Sequence, residues 1–448
     1  MGKEPELSWL ALETQGHWIW GCRARSDFRS PQGDLLRGMG LVTYLAVELK
    51  FDVPPLHPPF LIPGRGAQKG KTEKAQGRTR RSLQPSPAVS SLEMKLAVIL
   101  LALSHGTFTV TGTVSDDTPF NEVPFLMTHD SGSGYLGRGL VNRWTATQSV
   151  GLRGQLDCGA RAFDARPAMD AKLGLVWHHG DVTVDYAFNQ SLADIVDWAR
   201  GNASELVLIP ISDCTGDGCS EAVQAALDAA GVPTLTDCSV LGNMTLRDAE
   251  AMAQLESGGM VLAMVSSGGA DGTACSMGNY DSTLGCSGYD RMAPEVEACF
   301  AVQGIAPDTP ASQVSDQVMN ALVACLESSA VDAASVSKYT CYADDATSDY
   351  PMGRTLAHLD EVAAAGPPSS GFMWQLQALW QETVATVALG TLAGSSLIID
   401  EERSLLNARL TQEVLAGRWG SINFLEVNEV CDGGLELLAA LRASGASS

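Results

Sequence analysis

The sequence predicts an α/β fold built on a parallel sheet, closed into a distorted TIM-type (β/α) barrel. Three observations carry this. Apolar, strand-like runs alternate with helical periodicity from residue 123 to 265. Three of those runs (Val123 to Met127, Ala160 to Phe163, Leu173 to Trp177) end abruptly in ionisable residues followed by Gly or Pro. In parallel α/β barrels the reacting groups sit at the C-terminal ends of several strands, so polar strand ends in succession suit that geometry. After a cysteine-rich break, regular structure resumes from Phe372 to the end.

In chain order, residues 1–93 have loop-like composition, with Pro54-Pro55, Pro58-Pro59 and a basic run from Arg65 to Arg81, and no ordered domain is expected there. Met94-Lys95 then precedes an apolar core, Leu96 to Leu103, and small or polar residues through Gly112. This has the form of a secretory signal: a basic start, an apolar stretch too short to span a bilayer, and a small-residue exit. Translation is expected to start at Met94, with residues 1–93 a gene-model extension; the competing reading is a real, disordered N-terminal tail followed by an ordinary buried apolar element. Residues 94–112 are read as the signal and 113–448 as a single domain.

Within that domain, Leu192, Ile195, Val196 and Ala199 recur at helical spacing behind Ser191, taken as the N-cap. Glu205 to Ile211 reads as a buried strand, Glu221 to Ala230 as a helix and Gly259 to Val265 as a strand. Residues 268–345, rich in Gly, Ser, Asp and Cys, read as an insertion stapled by disulfides, with a helix near Val318 to Ser328. Regular structure follows at Met373 to Trp380, a helix over Glu401 to Ala416, the strand Ile422 to Val427 and a closing helix over Leu435 to Ala443. No internal repeat is found, and no further stretch is long enough for a transmembrane span.

The chain of 448 residues carries 29 basic and 52 acidic side chains, a net charge of −23. That excludes nucleic acid as a partner, because phosphate backbones need a basic face. Residues 1–93 hold 13 of the basic and 9 of the acidic residues, leaving 16 against 43 from Met94 onward. Ten cysteines follow Met94, an even number that fits disulfide pairing in an exported protein. Zinc does not fit, since Cys214 and Cys219 lack C-x2-C spacing and no His stands nearby at ligand spacing. Sequons at Asn189, Asn202 and Asn243 admit N-glycosylation. A serine hydrolase is excluded by the lack of a G-x-S-x-G elbow.

The three polar strand ends place two His, two Asp and one Arg in reach of one site. Imidazole exchanges protons near neutral pH and guanidinium holds an anionic oxygen with a planar fork of donors, a set suited to phosphoryl chemistry. His129 reads as a general base. Asp164 and Arg166, two apart on one strand, point the same way. Of His178 and His179, strand alternation puts only one on the pocket face, and Trp177 reads as packing.

Four blocks in order resemble the X domain of phosphatidylinositol-specific phospholipases C. They are the Thr128-His129-Asp130-Ser131 turn; Gln148-Ser149 with Gln155 to Arg166; His178-His179-Gly180; and Asn202 to Ile209. The resemblance spans about residues 120–213, with a fainter echo at Ser421 to Val427. It implies a secreted, monomeric phosphoric diester hydrolase or lyase of the phospholipase C-like phosphodiesterase fold. Phosphatidylinositol or a related glycerophospholipid would be the substrate, met at a transient membrane-surface contact. His129 would be the base and His179 the acid, with His178 its rival. Arg166 would stand where the calcium-dependent branch has a metal-binding acid, as in the metal-independent bacterial branch, and Asp130 would orient His179 or Arg166. No cofactor is then expected; calcium, held with help from Asp213, is the alternative. Glu426 would replace the late aspartate that pairs with the base, and His178, Asp213 and Glu426 would border the substrate. The lysine that the bacterial branch carries just after the strand equivalent to Leu206 to Ile211 is absent, Ser212-Asp213 standing there, which leaves the head group open. A non-catalytic secreted binding protein on the same fold is the competing reading.

Overall fold

The computed structural model describes residues 7–14, 17–24, 114–137, 139–180, 182–265, 275–278, 293–329, 351–366, 372–380, 382–420 and 422–445. The chain divides into two units, Met1–Val89 and Ser90–Ser448. In the first, β1 (Leu7–Thr14) and β2 (His17–Ala24) form an antiparallel ribbon that the composition of this stretch did not lead one to expect. The signal-like segment, residues 94–112, lies outside the described residues.

The second unit is α/β. Its elements run β3 (Phe125–Thr128), α1 (Leu140–Thr145), α2 (Leu152–Asp157), β4 (Ala162–Phe163), β5 (Pro167–Asp170), β6 (Gly174–His179), β7 (Val182–Ala187), α3 (Phe188–Gly201) and β8 (Leu206–Ile211). There follow α4 (Cys219–Ala230), β9 (Thr234–Leu235), α5 (Leu246–Met252), β10 (Met260–Val265), β11 (Ser276–Met277), α6 (Pro294–Gln303), α7 (Asp316–Ser328) and α8 (Pro351–Ala365). The unit ends with β12 (Met373–Ala378), α9 (Val384–Leu392), α10 (Leu397–Ser404), α11 (Leu406–Leu415), β13 (Phe424–Val427) and α12 (Gly434–Gly445).

Eight strands form a parallel sheet in the order β11-β12-β13-β3-β4-β8-β10-β9. The expected parallel sheet is therefore present, but its closure into a barrel is not seen. The edge strands β11 and β9 are two residues long and, among the described residues, do not pair with each other. Parallel strands buried on both faces read as continuous apolar runs, and alternate residues divide between two cores. Phe125, Met127, Leu206, Leu208, Met260, Leu262 and Phe424 pack on one face. Leu126, Phe163, Val207, Ile209, Val261 and Leu425 face the helices on the other.

Three expectations need correction. The run Leu173 to Trp177 is not part of the parallel sheet; β5, β6 and β7 form a separate antiparallel meander. The link between β5 and β6 is too short for a parallel crossover, and Asp170 Oδ1 closes it by accepting the N–H groups of Lys172 and Leu173. Ser191 is not an N-cap: α3 starts at Phe188, and Ser191 sits buried inside it, accepting from Trp177 Nε1 and donating to the Phe188 carbonyl. The helix expected over Glu401 to Ala416 is two helices, broken at Leu405 with φ 59°. Ser404 stabilises the break, donating to the Glu401 carbonyl and accepting from Leu406 N–H and Trp380 Nε1.

Disulfides join Cys158 to Cys431, Cys214 to Cys219, Cys238 to Cys275 and Cys299 to Cys325; Cys286 and Cys341 lie outside the described residues. The Cys299–Cys325 bridge ties α6 to α7, and both pack on α9 as a satellite core around Val296, Phe300, Leu322 and Leu389. No single helix among the described residues is long and apolar enough to cross a membrane. The bent pair α9 and α10 passes by length and composition together, but Val384, Ala385, Ala388 and Leu389 are consumed in that satellite core.

Candidate functional site

Neighbouring parallel strands β13, β3 and β4 all end on one side of the sheet, and their ends carry the site. β3 runs out at Thr128, and the His129 N–H is held by the Val427 carbonyl at the end of β13. Asp130 then takes a left-handed conformation with φ 42°, which a short polar side chain tolerates better than most. That turn lets the chain leave the strand sharply into a 3-10 turn, Ser131–Tyr135. Gly132 is required in it, because a Cβ there would lie 2.6 Å from the buried Trp177 ring. From β4, the Asp164 N–H bonds the Thr128 carbonyl and its carboxylate reaches back to the Asp130 N–H at 2.9 Å.

Loops behind the strands hold these ends in place. Thr147 Oγ1 donates to the His129 carbonyl, and Gln148 Nε2 donates to the Val427 carbonyl while its Oε1 accepts from Val430 N–H. Ser149 bonds Glu429 through both its N–H and hydroxyl. The Cys158–Cys431 bridge pins the segment after β13 to the end of α2. Glu205, from the block that follows α3, pairs with Arg161 and Arg442 and so serves as a structural anchor.

At the centre lies Asp130, whose side chain is 1% exposed. Arg166 Nη1 lies 2.9 Å from its Oδ1, and the Nε2 atoms of His129 and His179 each lie 3.1 Å from its Oδ2. Arg166 also grips Asp164 as a fork, Nη2 to Oδ2 at 2.8 Å and Nε to Oδ1 at 3.2 Å. The histidine ring centroids are 6.1 Å apart. His179 comes from the antiparallel hairpin rather than the parallel sheet, and its Nδ1 donates to the Thr145 carbonyl at 2.9 Å. A carbonyl only accepts, so His179 carries a proton on Nδ1 and turns Nε2 inward. His129 likewise turns Nε2 inward, with Nδ1 2.9 Å from Asn428 Oδ1.

Electrostatics follow from burial and these pairings. Burial alone would raise the Asp130 carboxyl, but His129, His179 and Arg166 outweigh it and hold it down at about 2. Burial works against the Arg166 charge, yet Asp164 and Asp130 together raise its proton affinity further above the ordinary arginine range. His129 is lowered, chiefly by desolvation. Glu426 is pushed up to about 8 by burial first and by the Asp164 charge second. It is therefore a neutral hydrogen-bonding group at neutral pH.

The structure thus brings His129, Asp130, Asp164, Arg166 and His179 together and leaves three other named residues outside that cluster. Glu426 does not pair with His129; it is deeper on the same face of β13 and accepts from Gln377 Nε2 at 2.7 Å. Asn428, two residues on and at the strand end, takes the place next to His129. His178 points away from the pocket, its ring nitrogens set against the Asp213 and Gly180 carbonyls at 2.8 and 3.1 Å. Asp213 is 56% exposed and faces His178 at 3.8 Å. Sequence reasoning missed Asn428 and, behind it, Glu401, whose Oε1 accepts from Asn428 Nδ2 at 2.6 Å. The polar end of the Ile422 to Val427 run was the available signal for Asn428; nothing local marks Glu401.

His129, Asp130 and Asp164 could each offer one ligand atom to a cation, all within 4.8 Å of one another. Both carboxylates are already taken by Arg166. A fixed guanidinium between them does not suit calcium, which takes six to eight oxygen ligands, and Asp213 contributes none at this point.

No family model matches the chain. Among solved structures it is similar to a mutant of the phosphatidylinositol-specific phospholipase C of Staphylococcus aureus, at 13% identity and a TM-score of 0.43, over 73% of this chain and 95% of that one. It is similar also to the phosphatidylinositol-specific phospholipase C of Listeria monocytogenes, at 13% identity and a TM-score of 0.41, over 74% of this chain and 97% of that one.

Proposed function

We propose that the protein is a secreted phosphodiesterase that cleaves phosphatidylinositol or a related glycerophospholipid without a metal. The observation that carries this is the constellation around Asp130: two histidines presenting Nε2 inward across a gap of 6.1 Å between ring centroids, beside a guanidinium anchored on two carboxylates. In this reading His129 Nε2 removes the proton of the hydroxyl that attacks phosphorus, and His179 Nε2 delivers a proton to the leaving alcohol. Arg166 faces the equatorial phosphoryl oxygens and neutralises the charge that builds on them. It is held by Asp164 and Asp130, so little rearrangement is needed as that charge appears. Asp130 keeps both imidazoles oriented and supports whichever of them is protonated. Export is part of the same proposal, motivated by the Met94 segment and by the four disulfides.

Phosphorus NMR on a phospholipid panel, with and without excess chelator, tests the reading. A cyclic phosphodiester, or the phosphomonoester formed from it by hydrolysis, should appear from an inositol or related lipid, at a rate unchanged by chelator. Activity that vanishes with chelator and returns with calcium would remove Arg166 from its assigned role. No turnover of any phosphodiester would leave a binding protein as the better account.

A further inference from the structure

Behind His129 runs a line of buried polar side chains that meets the site only at the outer nitrogen of that ring. His129 Nδ1 meets Asn428 Oδ1, Asn428 Nδ2 donates to Glu401 Oε1, and the Trp380 backbone N–H is hydrogen-bonded to the same carboxyl. Asn428 and Glu401 are 1% and 3% exposed. The backbone from which Asn428 projects is itself clamped, since Asn407 Nδ2 donates to the carbonyls of Asn428 and Glu429 at 3.1 and 3.0 Å.

A carboxamide is ambivalent towards a histidine, because it can offer either its oxygen or its NH2 group. Which face it offers decides which ring nitrogen carries the proton. If Asn428 offered NH2, His129 would accept at Nδ1 and carry its proton on Nε2, the inward nitrogen, and could not act as a base there. When it is ionised, Glu401 removes the ambiguity: a carboxylate only accepts, so it holds Nδ2 and leaves Oδ1 for the Nδ1–H of His129. The Asp130 carboxylate, 3.1 Å from His129 Nε2, accepts no aligned hydrogen bond but still attracts a proton to that nitrogen, so the Asn428 contact at Nδ1 is what must hold the ring in the opposite tautomer.

We propose that Glu401, acting through Asn428, is a positioning residue that fixes the His129 tautomer with its proton on Nδ1 and its lone pair on Nε2. The amide stands against the ring, and the carboxylate that would otherwise be needed there stands one residue further back. Burial, then the charges of Asp400 and Glu429, push Glu401 up to about 8. Glu382 also faces this cluster, and Asp400 is itself bonded to Ser395 and attracted by Arg403. The lock is therefore complete above about pH 8, where Glu401 is ionised; below it the carboxyl hydroxyl can donate to Asn428 and let the amide turn over.

The consequence for turnover rests on the phosphodiesterase reading, but the tautomer is measurable without substrate. Nitrogen-15 NMR of the histidine rings of the wild-type protein at pH 9 should show His129 protonated at Nδ1 and bare at Nε2; the opposite tautomer overturns the proposal whether or not any variant folds. Glu401→Gln, which can donate as well as accept, should admit the Nε2–H tautomer and lower kcat by roughly 10- to 100-fold with KM little changed, the usual range for losing an outer-shell partner. Adding Asn428→Asp to Glu401→Gln should restore both the spectrum and most of kcat, because an aspartate at 428 accepts from Nδ1 in either orientation. A Glu401→Gln protein with wild-type spectrum and wild-type kcat would refute the role, as would a double variant no better than the single one. A wild-type spectrum as expected, with no turnover of any phosphodiester, would instead retire the proposed activity and leave the positioning intact.

Discussion

At the scale of single residues, the site separates holding a charge from shaping it. Arg166 could be replaced by lysine with its charge retained, but the fork that spans Asp164 and Asp130 needs planar, divergent donors that an ammonium lacks. Arg166→Lys is therefore expected to lower kcat by roughly 100-fold or more, the scale of losing a placed donor to a developing oxyanion. Steady-state kinetics check it; a loss under tenfold would mean that point charge alone suffices. His179 allows a sharper separation of roles. As the acid it matters in proportion to the basicity of the leaving group, so His179→Ala should cost on the order of 10² to 10⁴ in kcat on a lipid substrate and far less on an analogue with a nitrophenol leaving group. Equal losses on both would assign it to binding instead.

Among elements, what the sequence disclosed followed the physics of pattern and place. β3, β4, β8, β10 and β13 were legible because a strand buried on both faces is an unbroken apolar run, and their polar ends pointed to His129, Asp130, Asp164 and Arg166 by position alone. α9 was not legible: Val384 to Gly390 are all buried, so no polar face gives it a helical period. The β5-β6-β7 meander was misplaced for a related reason, because Leu175 to Trp177 are as apolar as a sheet strand and only the short turn at Asp170 reveals the hairpin. Register was the other limit. Glu426 and Asn428 share one face of β13, and the sequence favoured the residue with the charge, whereas strand position favours the residue at the end. That hairpin packs onto the β3 turn through Trp177 against Gly132, which gives an element-scale prediction. Gly132→Ala puts a methyl 2.6 Å from the indole and should destabilise by about 1–3 kcal/mol through overpacking, measured as a lower denaturant midpoint. An unchanged midpoint would mean that the hairpin shifts freely relative to the strand ends.

For the molecule as a whole, a notable feature among the described residues is the number of buried carboxyls whose proton affinity is raised by burial. Glu426 and Glu401 are each pushed up to about 8 from an ordinary 4.5, and Asp400 to about 6 from 3.8, in every case chiefly by burial. Glu382 is raised as well. Between the unfolded and folded values the native state binds more protons than the unfolded chain, so stability falls as pH rises through that window. The contribution of Glu401 and Glu426 is fully present below about pH 4.5 and is lost by about pH 8 to 9. Each tenfold difference in proton affinity corresponds to about 1.4 kcal/mol, so two such groups make the loss large against the marginal stability of a folded domain. Asp130 works in the other direction: held down at about 2 from 3.8, it contributes stability above pH 3.8 that disappears as pH falls towards 2. The two trends leave a maximum near pH 4 to 5, on the acid side of the range where most proteins are most stable. Thermal unfolding followed from pH 3 to pH 9 should show Tm highest near that maximum and declining steadily to pH 9. Glu426→Gln and Glu401→Gln, which replace a neutral acid by a neutral amide, should each flatten the alkaline decline. A Tm that rises from pH 5 to pH 8, or a slope that both variants leave untouched, would mean that these carboxyls are ionised in the folded protein and are balanced by charge from elsewhere in the chain.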